Sequence, residues 1–263
     1  MNRPSRSAGF TLLETLIGLA LFGLIMLAIT NLFRGTLDTA SAGNAENELL
    51  SDMQLTQQVI AGRATDAVYV YPTGSTLVLS GTATAPTTRN TLGGANTNTQ
   101  NWTVGTDPIV AMILPPLVAA GPCNTTVFTG CYRLFAYYPI LRSYLLSNVT
   151  GDVPNADARN PNQWVMMEYR KNLVNAGVPW TGISNSTGQV TSVPNSGYVQ
   201  GASGKFLTDY FQPGSVSFTV TPPATGAVGR VAIQFTGQRF RSGSASAALV
   251  SSQSVTVYPR NWK

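Results

Sequence analysis

The chain has 263 residues, a formal net charge of +5 and no histidine, and 43% of it is hydrophobic while only 10% is charged. That length suits one substantial domain with an appendage, or two small domains, and the missing histidine removes serine–histidine and cysteine–histidine catalysis and any histidine-held zinc. Few charges, 25 glycines and many Ser, Thr and Asn fit a β-rich extracytoplasmic protein with long loops, or a partly disordered one, and so small a positive balance does not mark a nucleic-acid binder.

The first nine residues are basic through Arg3 and Arg6. From Thr15 to Phe33 no charged residue occurs; at 1.5 Å per residue that run spans roughly 28 Å, one hydrocarbon core. The basic leader favours a cytoplasmic start and puts the chain beyond Arg34 outside. A plain membrane anchor satisfies this pattern. A secretory signal cut near Thr39–Ala42 satisfies it less well, because the apolar core of such a signal is usually about 7 to 15 residues. Neither accounts for Glu14, since an ionisable group at the edge of hydrocarbon is costly and generally paired.

The stretch GFTLLE, Gly9 to Glu14, between that leader and the apolar run, resembles the cleavage and methylation motif of type IV pilins and type II secretion pseudopilins. The resemblance implies that a prepilin peptidase cuts between Gly9 and Phe10, that Phe10 becomes the N-methylated first residue, and that Glu14 serves subunit assembly by pairing with a neighbour's terminal amine. The implied partners are that peptidase, other major and minor pilins or pseudopilins, and an inner-membrane assembly platform. The implied location is a single-pass inner or cytoplasmic membrane protein with an extracytoplasmic head, later in a pilus or pseudopilus at the cell surface. The implied fold is α+β and pilin-like: a long N-terminal α-helical stem packed against a C-terminal antiparallel β-rich head. Small Ser7, Ala8 and Gly9 leave the bond before Phe10 accessible. Cutting it exposes a cation beside an apolar stem, and a carboxylate on an adjacent stem neutralises it and favours one axial stagger. Gly18 and Gly23 each destabilise a helix in water by up to about 1 kcal/mol; in lipid they permit close helix approach, or are simply tolerated.

These expectations divide the chain into a cleaved leader (1–9), a transmembrane half-stem (10–34), an amphipathic half-stem (35–65) and a β-rich head (66–263). Leu49, Leu50, Met53, Ile60 and Ala64 share roughly one helical face, Leu55 and Val59 form a narrower second stripe, and Glu46, Glu48 and Asp52 are on the polar remainder. A stem from Phe10 to about Arg63 measures about 80 Å, and Gly62 marks its end weakly.

In the head, AVYVYP and STLVLS read as two strands of a hairpin joined by a Thr-Gly turn. Residues 82–102 read as a polar loop or irregular segment, and PIVAMILPPLVAA as an apolar strand followed by a stretch interrupted by Pro115–Pro116, too short for a second span. Cys123 and Cys131 can close a small loop across a turn. An even count favours a disulfide outside the cytosol, with free thiols the alternative; two thiolates are too few for structural zinc. CYRLFAYYPIL reads as a strand entering a helix or turn, residues 148–163 as a loop, and QWVMMEYRKNL as a strand. One or two strands follow in KFLTDYFQPGSVSFTVTP, and GRVAIQFTGQRF and SQSVTVYPRN close the chain with period-two alternation. This late strand pair before Tyr258, Pro259, Arg260 and Asn261 resembles PilW-like minor pilins and J-type pseudopilins.

No catalytic constellation or cofactor motif emerges: Asp107, Asp152, Asp157, Glu168 and Asp209 are scattered. Asp152, Asn155 and Asp157 form no EF-hand register and read as turn chemistry rather than a metal site. Arg239, Phe240 and Arg241, with Arg170, Lys171, Arg230 and Arg260 as further cations, offer a candidate DNA contact by phosphate pairing and stacking, set against an edge strand protected by charge. The function expected is a non-enzymatic minor pilin of a type IV pilus supporting assembly, with adhesion, twitching or DNA uptake downstream. The alternatives are a type II secretion pseudopilin and a stand-alone membrane-anchored adhesin.

Overall fold

The computed structural model of the chain describes residues 11–82, 85–117, 122–151, 153–184, 189–225, 227–240 and 248–262. The expected cut between Gly9 and Phe10, and the candidates Arg241 and Asp152, lie outside the described residues. The chain divides into two compact units, residues 1–47 and 48–263. One uninterrupted helix, α1 (Leu12–Asp66), enters both.

Within the first unit α1 is long and apolar enough to cross a membrane. Its large apolar side chains from Leu12 to Leu37 stand exposed. The hydroxyls of Thr15, Thr30, Thr36 and Thr39 donate to carbonyls three or four residues back, which satisfies them where no water is present.

In the second unit α1 buries Leu49, Met53, Thr56, Ile60 and Ala64, a stripe at three- and four-residue spacing. Leu50, expected in this stripe, is exposed instead, because it stands about 100° round the helix from Leu49, past the margin of the buried stripe. Thr56 belongs to the stripe although it is polar, since its hydroxyl is satisfied by Asp52 O at 2.8 Å.

The strands are β1 (Tyr69–Val70), β2 (Thr76–Val78), β3 (Asn101–Thr103), β4 (Val110–Leu114), β5 (Arg133–Leu141), β6 (Trp164–Asn172), β7 (Val174–Asn175), β8 (Val178–Pro179), β9 (Gly204–Phe211), β10 (Ser217–Thr221), β11 (Arg230–Phe240) and β12 (Ala248–Val257). Short helices α2 (Arg142–Asn148) and α3 (Ser196–Val199) interrupt them. An eight-stranded sheet runs β1-β4-β5-β6-β9-β11-β10, with β12 also on β11. Every pairing is antiparallel, so the fold is the expected α+β arrangement of a long helix and an antiparallel head. β11 buries Val231, Ile233 and Phe235 in alternation. Leu49 and Met53 meet β11 at Gly237, where an added Cβ would stand 2.8 Å from Met53 Sδ and 3.0 Å from Leu49 Cδ1.

One local expectation fails. β1 and β2 do not form a hairpin: Val70 pairs with Met112 of β4, while Leu77 pairs with Trp102 of β3. Burying Val70 in the main sheet outweighs closing a local turn. The polar stretch 82–102 contains a buried anchor, Trp102, whose Nε1 donates to Thr88 O at 2.8 Å.

Candidate functional site

The head of α1 is closed by a reciprocal pair. Thr11 N and Thr11 Oγ1 donate to Glu14 Oε2 at 3.1 and 3.2 Å, and Glu14 N donates to Thr11 Oγ1 at 3.3 Å. This is a capping box, which satisfies two of the four amides that a helix start leaves without partners. It also puts a carboxylate at the positive end of the helix dipole. Weighing only the membrane penalty of Glu14 misses this role, although the signal, Thr-x-x-Glu ahead of an apolar run, is in the sequence.

In the second unit, polar side chains from α1, β9 and β11 and from the α2 region form one network around Tyr210. Arg239 Nη1 contacts Glu48 Oε2 at 2.7 Å, and its guanidinium is 4.5 Å from the Tyr210 ring. Arg142 is 4.7 Å from the same ring. Arg142 is fully buried, with Nη1 2.6 Å from Asp209 Oδ2 and Nη2 donating to Asn155 O. Tyr210 takes a left-handed φ of 66°, and its hydroxyl donates to Asp157 Oδ2 at 3.2 Å. Burial pushes the Asp209 carboxyl up to about 6 against the pull of Arg142 and Arg239. Burial and Glu48 raise Asp52, with Arg239 opposing. Burial also pushes Asp157 up, but hydrogen bonds from Asn160, the Arg159 amide and Tyr210 hold it below its ordinary value.

The N-terminal segment matches the family model described as the prokaryotic N-terminal methylation motif, over residues 4–30. The match supports a likeness to type IV pilins and pseudopilins, carried by this N-terminal segment. No curated protein and no solved structure matches it. The matched residues include Gly9, Phe10 and Glu14, and the motif implies processing by a prepilin peptidase and pilin partners in general. Among the described residues one helix is long and apolar enough to span a membrane, which agrees with a pilin anchored there before assembly.

Elsewhere in this pilin-like chain the candidate residues part company. Arg239 is engaged within the fold, by Glu48 and Tyr210. The backbone amide of Phe240 donates to Asn160 Oδ1 at 2.8 Å. Arg170 and Lys171 diverge: Arg170 lies over Phe135, while Lys171 Nζ donates to Gln200 O. Cys123 and Cys131 form a disulfide with Cα atoms 4.4 Å apart. Asp157 does turn chemistry, accepting from Arg159 N and Asn160 Nδ2 at 3.0 and 2.8 Å. Among the described residues no group of carboxylates and thiols could hold a metal ion.

Proposed function

We propose that the chain is a minor pilin of a type IV pilus, incorporated through its N-terminal helix to support pilus assembly. It is an assembly and display subunit rather than an enzyme, its head is extracytoplasmic, and adhesion, motility or DNA uptake follow from the pilus that it helps to build. The observation that carries this reading is the methylation motif on a helix whose apolar face from Leu12 to Leu37 is uncovered. Such a face needs lipid first and neighbouring stems later. The disulfide supports an extracytoplasmic head. A head with twelve strands among its described residues, joined by long loops, supports a specialised subunit over a bulk one.

The DNA arm of the reading does not run through Arg239, whose charge and planar face are both engaged. Deleting the gene and measuring surface pili and secreted protein in parallel tests the proposal. Loss of pili with export intact is expected. Loss of export with pili intact would assign the chain to a secretion pseudopilus instead.

A further inference from the structure

Arg63 of α1, Arg133 of β5 and Arg170 of β6 converge on one aromatic ring. Their guanidinium carbons are 4.8, 5.6 and 5.6 Å from the centroid of Phe135, whose side chain is fully buried. The register explains the convergence. Arg170 stands directly across from Phe135, and Arg133 precedes it by two residues, on the same face. Arg63 comes from the last turn of α1.

The ring face attracts each cation modestly, but it cannot neutralise three charges. Among the described residues none of the three forms an ion pair. Glu168, on the same face of β6, is engaged as the acceptor of the Tyr137 hydroxyl at 2.9 Å and stands opposite Lys205 in the sheet register. Arg133 is only 7% exposed; its Nη2 donates to Pro115 O at 3.1 Å and its Nε is buried without a partner. Burial, then repulsion from Arg170 and Arg63, lowers the pKa of Arg133. Like charges gathered this way repel unless an anion joins them, and guanidinium forks match oxygens held by phosphorus.

We propose that Arg63, Arg133 and Arg170 form a binding site for a multiply charged oxyanion of the phosphate class. Three cations against one carboxylate suit a phosphate dianion better than a single carboxylate. The phosphate is either free or carried by a lipid headgroup.

The test is calorimetric titration of the full chain in neutral detergent with inorganic phosphate, at constant ionic strength, against chloride. Saturable binding is expected, weakened about tenfold or more in Arg63→Gln and Arg170→Gln. Arg170→Lys, which keeps the charge, should fold and retain part of the binding. Competition by phosphatidylglycerol added to the micelles identifies a headgroup as the source, and its absence identifies free phosphate. Heat indistinguishable from that of chloride, or phosphate binding unchanged in both glutamine variants, overturns the proposal.

Discussion

Thr11 and Glu14 hold each other's backbone amides: Thr11 N reaches Glu14 Oε2 at 3.1 Å, and Glu14 N reaches Thr11 Oγ1 at 3.3 Å. In the proposed assembly the same carboxylate meets a neighbour's terminal amine, so Glu14 has two partners to serve. Thr11→Ala removes the cap alone and is expected to weaken the first turn by about 1 kcal/mol while leaving filament incorporation largely intact. Glu14→Gln keeps much of the cap and removes the charge. It should leave processing intact and reduce incorporation by an order of magnitude or more, read as the ratio of this subunit in sheared filaments to that in membranes. Equal incorporation of Glu14→Gln and wild type would show that capping is the whole role of this residue.

The buried Arg142–Asp209 pair predicts an asymmetry. Asp209→Ala leaves the fully buried Arg142 without its charge partner, a change expected to be destabilising by about 3 to 5 kcal/mol. Asp209→Asn retains an acceptor and should be milder. Denaturant unfolding of both variants orders them.

The same carboxylate sets a pH dependence. Its folded value is raised from 3.8 to about 6, so between those values the native state binds more protons than the unfolded chain. The stability that this group contributes is therefore fully present below about pH 4 and is lost as pH rises through about 6. Asp157 works the other way: its lowered value contributes stability present above its ordinary pKa of 3.8 and lost as pH falls through the lower folded value. Asp209→Asn should flatten the fall between pH 4 and 6 in a stability–pH profile and leave the acid limb in place.

Gly237 fixes how closely residues 48–66 of α1 approach β11. A methyl group there meets Met53 at 2.8 Å. Because Met53 Cγ at 2.9 Å and Leu49 Cδ1 at 3.0 Å crowd the same spot and both side chains are buried, Gly237→Ala is expected to be destabilising by about 1 kcal/mol and Gly237→Val by up to about 3 kcal/mol. Adding Met53→Ala should recover part of the loss. Additive effects in thermal unfolding would contradict the contact.

Reducing the Cys123–Cys131 bridge frees a loop of small sequence separation, 8 residues. The expected loss of stability is about 2 to 3 kcal/mol, read as a lower Tm for Cys123→Ser/Cys131→Ser.

The long helix and its buried stripe were legible because apolar spacing carries them directly: Leu49, Met53, Ile60 and Ala64 need no partner to be recognised. The late strands β11 and β12 were legible through period-two alternation. The β1–β4 pairing was not, because a local turn between Val70 and Thr76 is visible in sequence, whereas the match of Val70 to Met112 is made by burial in three dimensions. The Arg142–Asp209 pair spans 67 residues, and nothing in either neighbourhood marks it. Trp102 stayed hidden in a polar stretch because a single aromatic has no period. At the N-terminus the opposite happened. The motif is plain in Gly9, Phe10 and Glu14, and it masks the Thr11–Glu14 cap, whose Thr-x-x-Glu spacing shares the same residues.

The proposed function requires that the chain lose its leader and enter a filament by its new N-terminus. Mass spectrometry of the N-terminal peptide, from native membranes and from sheared filaments, tests this most directly. A peptide beginning with N-methylated Phe10 in both fractions is the predicted result. A chain that still begins at Met1, or one that begins near Gly43, would contradict the account.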